Sequence, residues 1–289
     1  MPTPLPRPLA DTPVRRLTLG DLVACADLCE DRGWPRDEHR WGLLLTAGTG
    51  YGIDDPAGKG LLATCVVTSY GPRLAAIGML LVAERYARQG VARHLMRHVI
   101  DAAADTPLSL YATSAGQPLY EQLGFTVVGR VERVTGFFRP SGVQASAVTV
   151  RPATADDLQA MVRLDLDVFG SDRTHVLTRL PAYADHIRVA ERDGALVGYA
   201  ASWPSDRTQV IGPLVAPDTT AARALVASLA GATDLPLRAD VDARHEELLT
   251  WFKECGLRTG SETTAMTHGI SDLPGDWTRR YAPLTLATG

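Results

Sequence analysis

The stretch Ile77 to Ile100, IGMLLVAERYARQGVARHLMRHVI, decides how the rest of the chain is read. Ile77 to Val82 is an apolar, partly β-branched run of the kind that forms a buried strand. Leu95, Met96, Val99 and Ile100 recur at helical spacing, the stripe of an amphipathic helix laid on a sheet. Between the two lies a short turn, Arg88-Gln89-Gly90-Val91-Ala92. A strand that turns tightly into a helix aims several unpaired N–H groups and the positive end of the helix dipole at one spot, which suits phosphate. Small residues at Gly90 and Ala92 let a diphosphate approach those amides. A single glycine also serves chain geometry alone in many such units, so the loop by itself admits both readings. Neither the G-x-G-x-x-G fingerprint nor a G-K-S/T phosphate loop is present in this stretch.

A second segment, Leu108 to Phe125 (LSLYATSAGQPLYEQLGF), predicts a strand over Leu108 to Ala112, a polar turn, and a short helix. Pro118 suits the first helical turn and Gly124 the stop. Taken together, the two segments resemble the GNAT superfamily of acyl-CoA-dependent N-acetyltransferases. In that family a Gln/Arg-x-x-Gly-x-Gly/Ala pattern cradles the pyrophosphate of coenzyme A, and a later Leu-Tyr-x-x-x-Gly-Phe segment carries a phenol near the thioester sulfur. The first pattern falls on Ala87 to Ala92 and the second on Leu119 to Phe125. Ala87 departs from the pattern, so one phosphate contact is either missing or supplied by Arg88 or Arg93; Thr113 stands where the family often has asparagine.

At 289 residues with 45% apolar content, the chain is long enough for two domains with real cores. A net charge of −4 without any Lys/Arg block argues against nucleic acid or an anionic membrane as the main partner. No apolar run approaches the roughly 20 residues that cross a bilayer. Residues 1–13 are proline-rich and read as a flexible lead-in without the apolar core of a secretion signal. Cys25, Cys29, Cys65 and Cys255 lack metal or redox spacing and read as small buried thiols of a cytoplasmic protein, with no metal expected.

In order, the chain predicts a strand at Val14 to Leu17, a helix with Leu22, Val23, Ala26 and Leu28 inward, and a helix over Asp37 to Ala47. Next come a Gly/Asp-rich turn at Gly48 to Gly60, a strand at Leu61 to Ser69, the two segments above, and closing strands from Val127 to Phe138. The resulting β-α-α-β-β-β-α-β-α-β order is the GNAT layout, an α/β fold whose mixed sheet is flanked by helices. After a linker over 139–147 the chain begins again. VRRLTLGDLVACADL at Val14 answers VRPATADDLQAMVRL at Val150, matching Asp21 to Asp157. GLLATCVV at Gly60, IGMLLVA at Ile77, PLSLYA at Pro107 and YEQLGF at Tyr120 answer GALVGYAA at Gly194, IGPLVA at Ile211, PLRADV at Pro236 and FKECGL at Phe252. Five matches in one order imply a duplication: a GNAT-like domain over 14–138 and a second over 148–289. The second copy has Asp218 in a shorter loop without glycine, and Phe252 in place of Tyr120. It is expected to keep the scaffold without the chemistry.

The resemblance implies acetyl-CoA, or another acyl-CoA, as cosubstrate and the amine of a small molecule or peptide as acceptor, with a monomer or homodimer as the working form. It places the pantetheine against Leu80, Leu81 and Val82, and the pyrophosphate on Arg88, Gln89, Gly90, Val91, Ala92 and Arg93, with Thr113 nearby. Tyr120 becomes the general acid, since a phenol with a pKa of about 10 keeps its proton at neutral pH. No carboxylate occupies the strand before the loop, so the base stays open among Glu84, Glu38 and His39, a water chain, or an amine that binds neutral. Glu38 and His39 fall on the helix expected near the acceptor. Arg238, Asp240, Asp242 and His245 cluster after a strand of the second copy, as a charged loop or as a cleft for a substrate or effector. The alternative to catalysis is an acyl-CoA-binding regulatory module.

Overall fold

In the computed structural model, which describes residues 12–141 and 147–289, two capping boxes open the two halves of the chain in the same way. Most of the expected lead-in and the middle of the expected linker lie outside the described residues. In the first half, strand β1 (Arg15–Leu17) runs into a short turn of 3-10 helix capped reciprocally by Thr18 and Asp21. In the second, β7 (Thr149–Pro152) runs into the same turn capped by Thr154 and Asp157. Arg15 holds Asp21 at 2.7 Å and Asp54 at 2.8 Å; Arg151 holds Asp157 at 2.7 Å and Glu191 at 2.6 Å. The duplication read from sequence therefore extends to individual ion pairs.

The first half continues with α1 (Leu22–Asp31), α2 (Glu38–Ala47), β2 (Thr49–Asp54), β3 (Leu61–Ser69), β4 (Ala75–Val82), α3 (Val91–Ala103), β5 (Leu108–Ala112), α4 (Gln117–Glu121) and β6 (Thr126–Gly136). The element order is the expected one, with two local corrections. Strand β2 (Thr49–Asp54) occupies the first part of the expected turn, because Leu17 lies across its glycines: a Cβ on Gly52 would stand 2.5 Å from the Leu17 side chain. On α1 the buried face is Cys25, Ala26, Leu28 and Cys29, and Val23 is 55% exposed instead of inward. The second half repeats the plan with α5 (Leu158–Phe169), α6 (Thr174–Leu177), α7 (Leu180–Tyr183), β8 (His186–Arg192), β9 (Ala195–Ser205), β10 (Thr208–Val215), α8 (Thr219–Ala230), β11 (Leu237–Asp242), α9 (Glu246–Glu254), β12 (Arg258–His268) and β13 (Arg280–Ala282).

All the strands join one 13-stranded sheet ordered β1-β2-β3-β4-β5-β12-β6-β11-β10-β9-β8-β7, with β13 on β10. Among the described strands, only β4–β5 and β10–β11 pair in parallel. The order is nearly palindromic between the copies, but the last strands are exchanged. β12, from the end of the chain, pairs with β5, and β6 pairs with β11 of the second half. The expected closing strands at Val127 to Phe138 are thus one strand, and it closes the second unit. The two exchanged strands pair antiparallel with each other at the centre of the sheet.

In the first half, α3 buries Val91, Leu95, Met96 and Val99 on one face of the sheet, with Tyr120 and Phe125 beside them. Burial of each large aliphatic side chain contributes about 1.5–3 kcal/mol. Helices α1 and α2 cover the other face through Cys25, Cys29, Trp41 and Leu44. A further core joins the halves: Leu43, Tyr70 and Leu74 pack with Val168, Phe169, Leu180 and Trp203.

Candidate functional site

The parallel pairing of β4 with β5 runs from Ala75 and Leu108 only to Ile77 and Leu110. Beyond that point Met79 takes a left-handed conformation (φ +52°) and the β3 register shifts, so β4 bends away from β5. Among the described residues no strand pairs with that edge of β4 past Ile77. Leu80 and Val82 are half-buried there and Leu81 is buried. The bend leads into Arg88 (φ +61°) and Gly90 (φ +82°), and Gly90 N-caps α3 without a side-chain cap. The amides of Gln89, Gly90, Val91, Ala92 and Arg93 find no acceptor among the described residues, and a Cβ on Gly90 would meet open space. Unpaired amides at an uncapped helix N-terminus favour an anion there.

Asp55, buried in the β2–β3 turn, sets the position of the loop. It accepts a hydrogen bond from Tyr86 at 2.7 Å and pairs with Arg85. Burial alone would raise its pKa, but the bonds from Tyr86, the Ala57 amide and Arg85 hold it below the ordinary carboxylate value. Arg88 is exposed, Gln89 donates to the Arg85 carbonyl at 3.2 Å, and Arg93 bonds Gln122.

At the splay the β4 and β5 residues open onto a cavity of about 390 Å³ between the two halves. Gly78, Met79, Tyr111 and Thr113 line its near end. Trp203, Arg238, Asp240, Glu262 and Thr263 come from the second half, and Arg40 from α2. Ala287, near the end of the chain, packs against Gly78 and closes one side. Thr113 also accepts from the Gly116 amide at 3.2 Å, which shapes the turn into α4. Tyr120 is buried beneath, edge-on to Phe125, and burial raises its pKa above the ordinary phenol range.

The remaining candidates fall elsewhere. Glu84 points outward, 68% exposed, paired with Arg32, and lines no part of the cavity. Glu38 is paired with Arg36 at 2.7 Å on the surface. His39 bonds the Tyr183 carbonyl at 2.8 Å and stacks on that ring at 4.4 Å, so it docks α2 on the second half. The carboxylates at the cavity are instead Asp240, held by Arg133 at 2.7 and 3.0 Å, and Glu262. Of the β11 cluster, Arg238 and Asp240 face the cavity. Asp242 holds Arg244 and His245 holds the Arg280 carbonyl at 2.8 Å, both farther along. Sequence reasoning missed Tyr111, Arg40 and Trp203, whose relevance exists only once the halves meet.

The second half closes both features that the first leaves open. Past Ile211, β10 pairs with β13 through Leu214–Ala282 and Val215–Arg280, so chain fills the splay. Asp218 caps α8 by accepting from the Ala221 amide at 2.8 Å and is paired with Arg192 at 2.8 Å. A carboxylate already stands where a phosphate would sit. The four cysteines are free and buried, and burial pushes the Cys25 and Cys65 thiols up to about 12. No helix among the described residues is long and apolar enough to cross a membrane.

A model described as an acetyltransferase (GNAT) domain matches residues 65–138, and another of the same description matches 161–282. Over 241 residues the chain is 30% identical to an uncharacterized N-acetyltransferase, YitH, of Bacillus subtilis (strain 168), covering 81% of this chain and 84% of that protein. Its fold is similar to the crystal structure of a putative acetyltransferase from Pyrococcus horikoshii, with a TM-score of 0.79 at 16% identity over 99% of this chain and 98% of the other. It is also similar to a tandem GNAT protein from the clavulanic acid biosynthesis pathway, with a TM-score of 0.63 at 12% identity over 92% of this chain and all of the other.

Proposed function

The chain belongs to the GNAT family of N-acetyltransferases, as two such domains in tandem, and from that premise we propose that it has one acyl-transfer site, in its first half, moving acetyl from acetyl-CoA to a primary amine of a small molecule in a ternary complex. The contrast between the uncapped Gly90 turn and the self-capped Asp218 turn carries the assignment to one half.

In this reading the amides of Gln89 to Arg93 hold the pyrophosphate, with Arg88 and Arg93 adding positive charge. The exposed edge of β4 at Leu80 to Val82 bonds the pantetheine. Acetyl-CoA brings an activated thioester carbonyl to the splay, and the acceptor approaches from the interdomain cavity. The amine lone pair forms the C–N bond as the C–S bond breaks. The thiolate takes a proton from Tyr120, and the nitrogen loses one to a cavity carboxylate or water. Glu84 lies outside this path, and the carboxylates in reach are Asp240 and Glu262.

Calorimetric titration with acetyl-CoA tests the reading. One equivalent is expected to bind, and Gly90→Asp, which copies the second half's carboxylate onto α3, should weaken binding at least about tenfold. Two equivalents, or one that Gly90→Asp leaves untouched, would refute the single-site assignment.

A further inference from the structure

Buried polar atoms in folded proteins nearly always have partners, and the exceptions point to something that completes them. Here four such atoms without a hydrogen-bond partner belong to residues lining the same cavity: Arg40 Nε, Trp203 Nε1, Arg238 Nε and Thr263 Oγ1. Three of them are N–H groups that can only donate, and two of those sit on guanidinium ions. Trp203 is 1% exposed, so its indole N–H has no access to bulk water.

The charges around them are accounted for. Asp240 is held at both oxygens by Arg133. Asp37 accepts from the Arg40 amide at 2.8 Å and from Ser205 at 3.0 Å, with Arg40 Nε at 3.7 Å. Glu262 is 49% exposed and lies 3.7 Å from Arg130. Arg238 forms no ion pair among the described residues and lies 5.9 Å from the Trp203 ring centroid. Burial, together with Arg133 and Arg40, lowers its pKa to about 10, so it remains a cation at neutral pH. Water could satisfy the donors but not the charge; an oxyanion satisfies both.

We propose that the acceptor is a small amine that also carries an oxyanion, a carboxylate or a phosphate, and that Arg238, Arg40 and Trp203 hold this oxyanion while the amine reaches the splay at Gly78 and Tyr111. The assignment of the amine rests on the acyl-transfer reading; the oxyanion site does not. It gives the second half a direct part in choosing the substrate.

Two measurements separate these layers. The first follows the Trp203 indole N–H resonance in nitrogen-15-labelled protein, identified by its loss in Trp203→Phe, during titration with acetate and with inorganic phosphate. A saturable shift that weakens about tenfold or more in Arg238→Gln is expected. The second measures acetyl transfer to matched pairs: amino acids against their amides, and phosphoethanolamine against ethanolamine. The anionic member should show a KM lower by about tenfold or more, a preference lost in Arg238→Gln with the KM for acetyl-CoA unchanged. Preference within the carboxylate pairs alone, or the phosphate pair alone, names the oxyanion. Should Arg238→Gln not fold, Trp203→Phe removes a donor while leaving the charge, and reduced discrimination is again expected. An indole unmoved by both anions, or equal KM within every pair, overturns the proposal. A moving indole without transfer to any amine removes the acyl-transfer reading and leaves the oxyanion site standing.

Discussion

A phenol that passes its proton to a departing thiolate must still hold that proton at working pH, and burial ensures this for Tyr111 of β5 and Tyr120 of α4. Both Tyr120 and Tyr111 are raised above the ordinary phenol value of about 10, chiefly by burial. Each is therefore protonated below that value and loses its proton only as pH climbs through the higher folded one. The kcat profile should stay free of a phenol-dependent fall up to about pH 10. Tyr120→Phe should lower kcat by about 100-fold or more with acetyl-CoA affinity preserved. Tyr111 is the phenol that lines the cavity, so a large loss from Tyr111→Phe with none from Tyr120→Phe would move the role to Tyr111. Asp55 acts one step removed. Its folded pKa is depressed, so its hold on Arg85 and Tyr86 is complete above the unfolded aspartate value of about 3.9 and is lost as pH falls through the folded one. Asp55→Asn should make the Tyr86 and Ala87 amides, which bond the Ala83 and Glu84 carbonyls at 2.9 and 3.0 Å, exchange about tenfold faster at neutral pH; hydrogen exchange that left these two amides unchanged would remove Asp55 from the loop's support.

Elements with a strong, unshared pattern were legible from sequence. The strands at Leu61 to Ser69 and Leu108 to Ala112 have the bounds that their apolar runs suggest. Helix α3 buries Leu95, Met96 and Val99 as its stripe requires, with Ile100 half-buried. Strand β2 was hidden because its glycines answer to Leu17 across the sheet, a contact that no local composition records. The uncapped turn before α3 was legible for the opposite reason: its geometry is carried by Gly90 within one local turn. The cavity lining was not, since Arg40, Tyr111, Trp203 and Arg238 lie on four separate elements and meet only in the assembled cavity. The long-range ties that hold such elements can be tested singly. Asp165 of α5 receives Arg173 at 2.6 and 3.0 Å and also the Tyr199 hydroxyl, all buried. Arg173 in turn donates to the Gly289 carbonyl at 2.8 Å, so the pair anchors the segment that carries Ala287 to the cavity wall. Asp165→Ala leaves a buried guanidinium uncompensated and should cost about 3–5 kcal/mol in denaturant unfolding. A change below about 1 kcal/mol would mean that the cluster contributes little to holding that segment.

At the scale of the molecule, the duplication was readable and the exchange of strands was not, and both follow from one cause. Because the halves are copies, β5 and β11 present two nearly equivalent sheet edges, and the structure gives β12 to β5 and β6 to β11. Which edge each takes is settled only by the whole chain. The consequence is that neither half of the sequence contains a complete sheet. Residues 12–141 alone would leave the β5 edge bare and β6 without β11 or β12, exposing long unpaired edges. The two halves also share a core in which Tyr70 and Leu74 pack against Phe169 and Trp203. Unfolding of the intact chain should therefore be one cooperative calorimetric transition, its van't Hoff and calorimetric enthalpies in agreement, despite the two family matches. The segments 1–141 and 142–289 made separately should aggregate or remain unfolded, and made together should recover a folded complex that binds acetyl-CoA. Two resolved transitions, or a first segment that folds and binds the cofactor unaided, would show that the exchanged strands are an adornment of two independent domains. A single transition makes the cavity between the halves as permanent as the core, which is what a substrate site assembled from both requires.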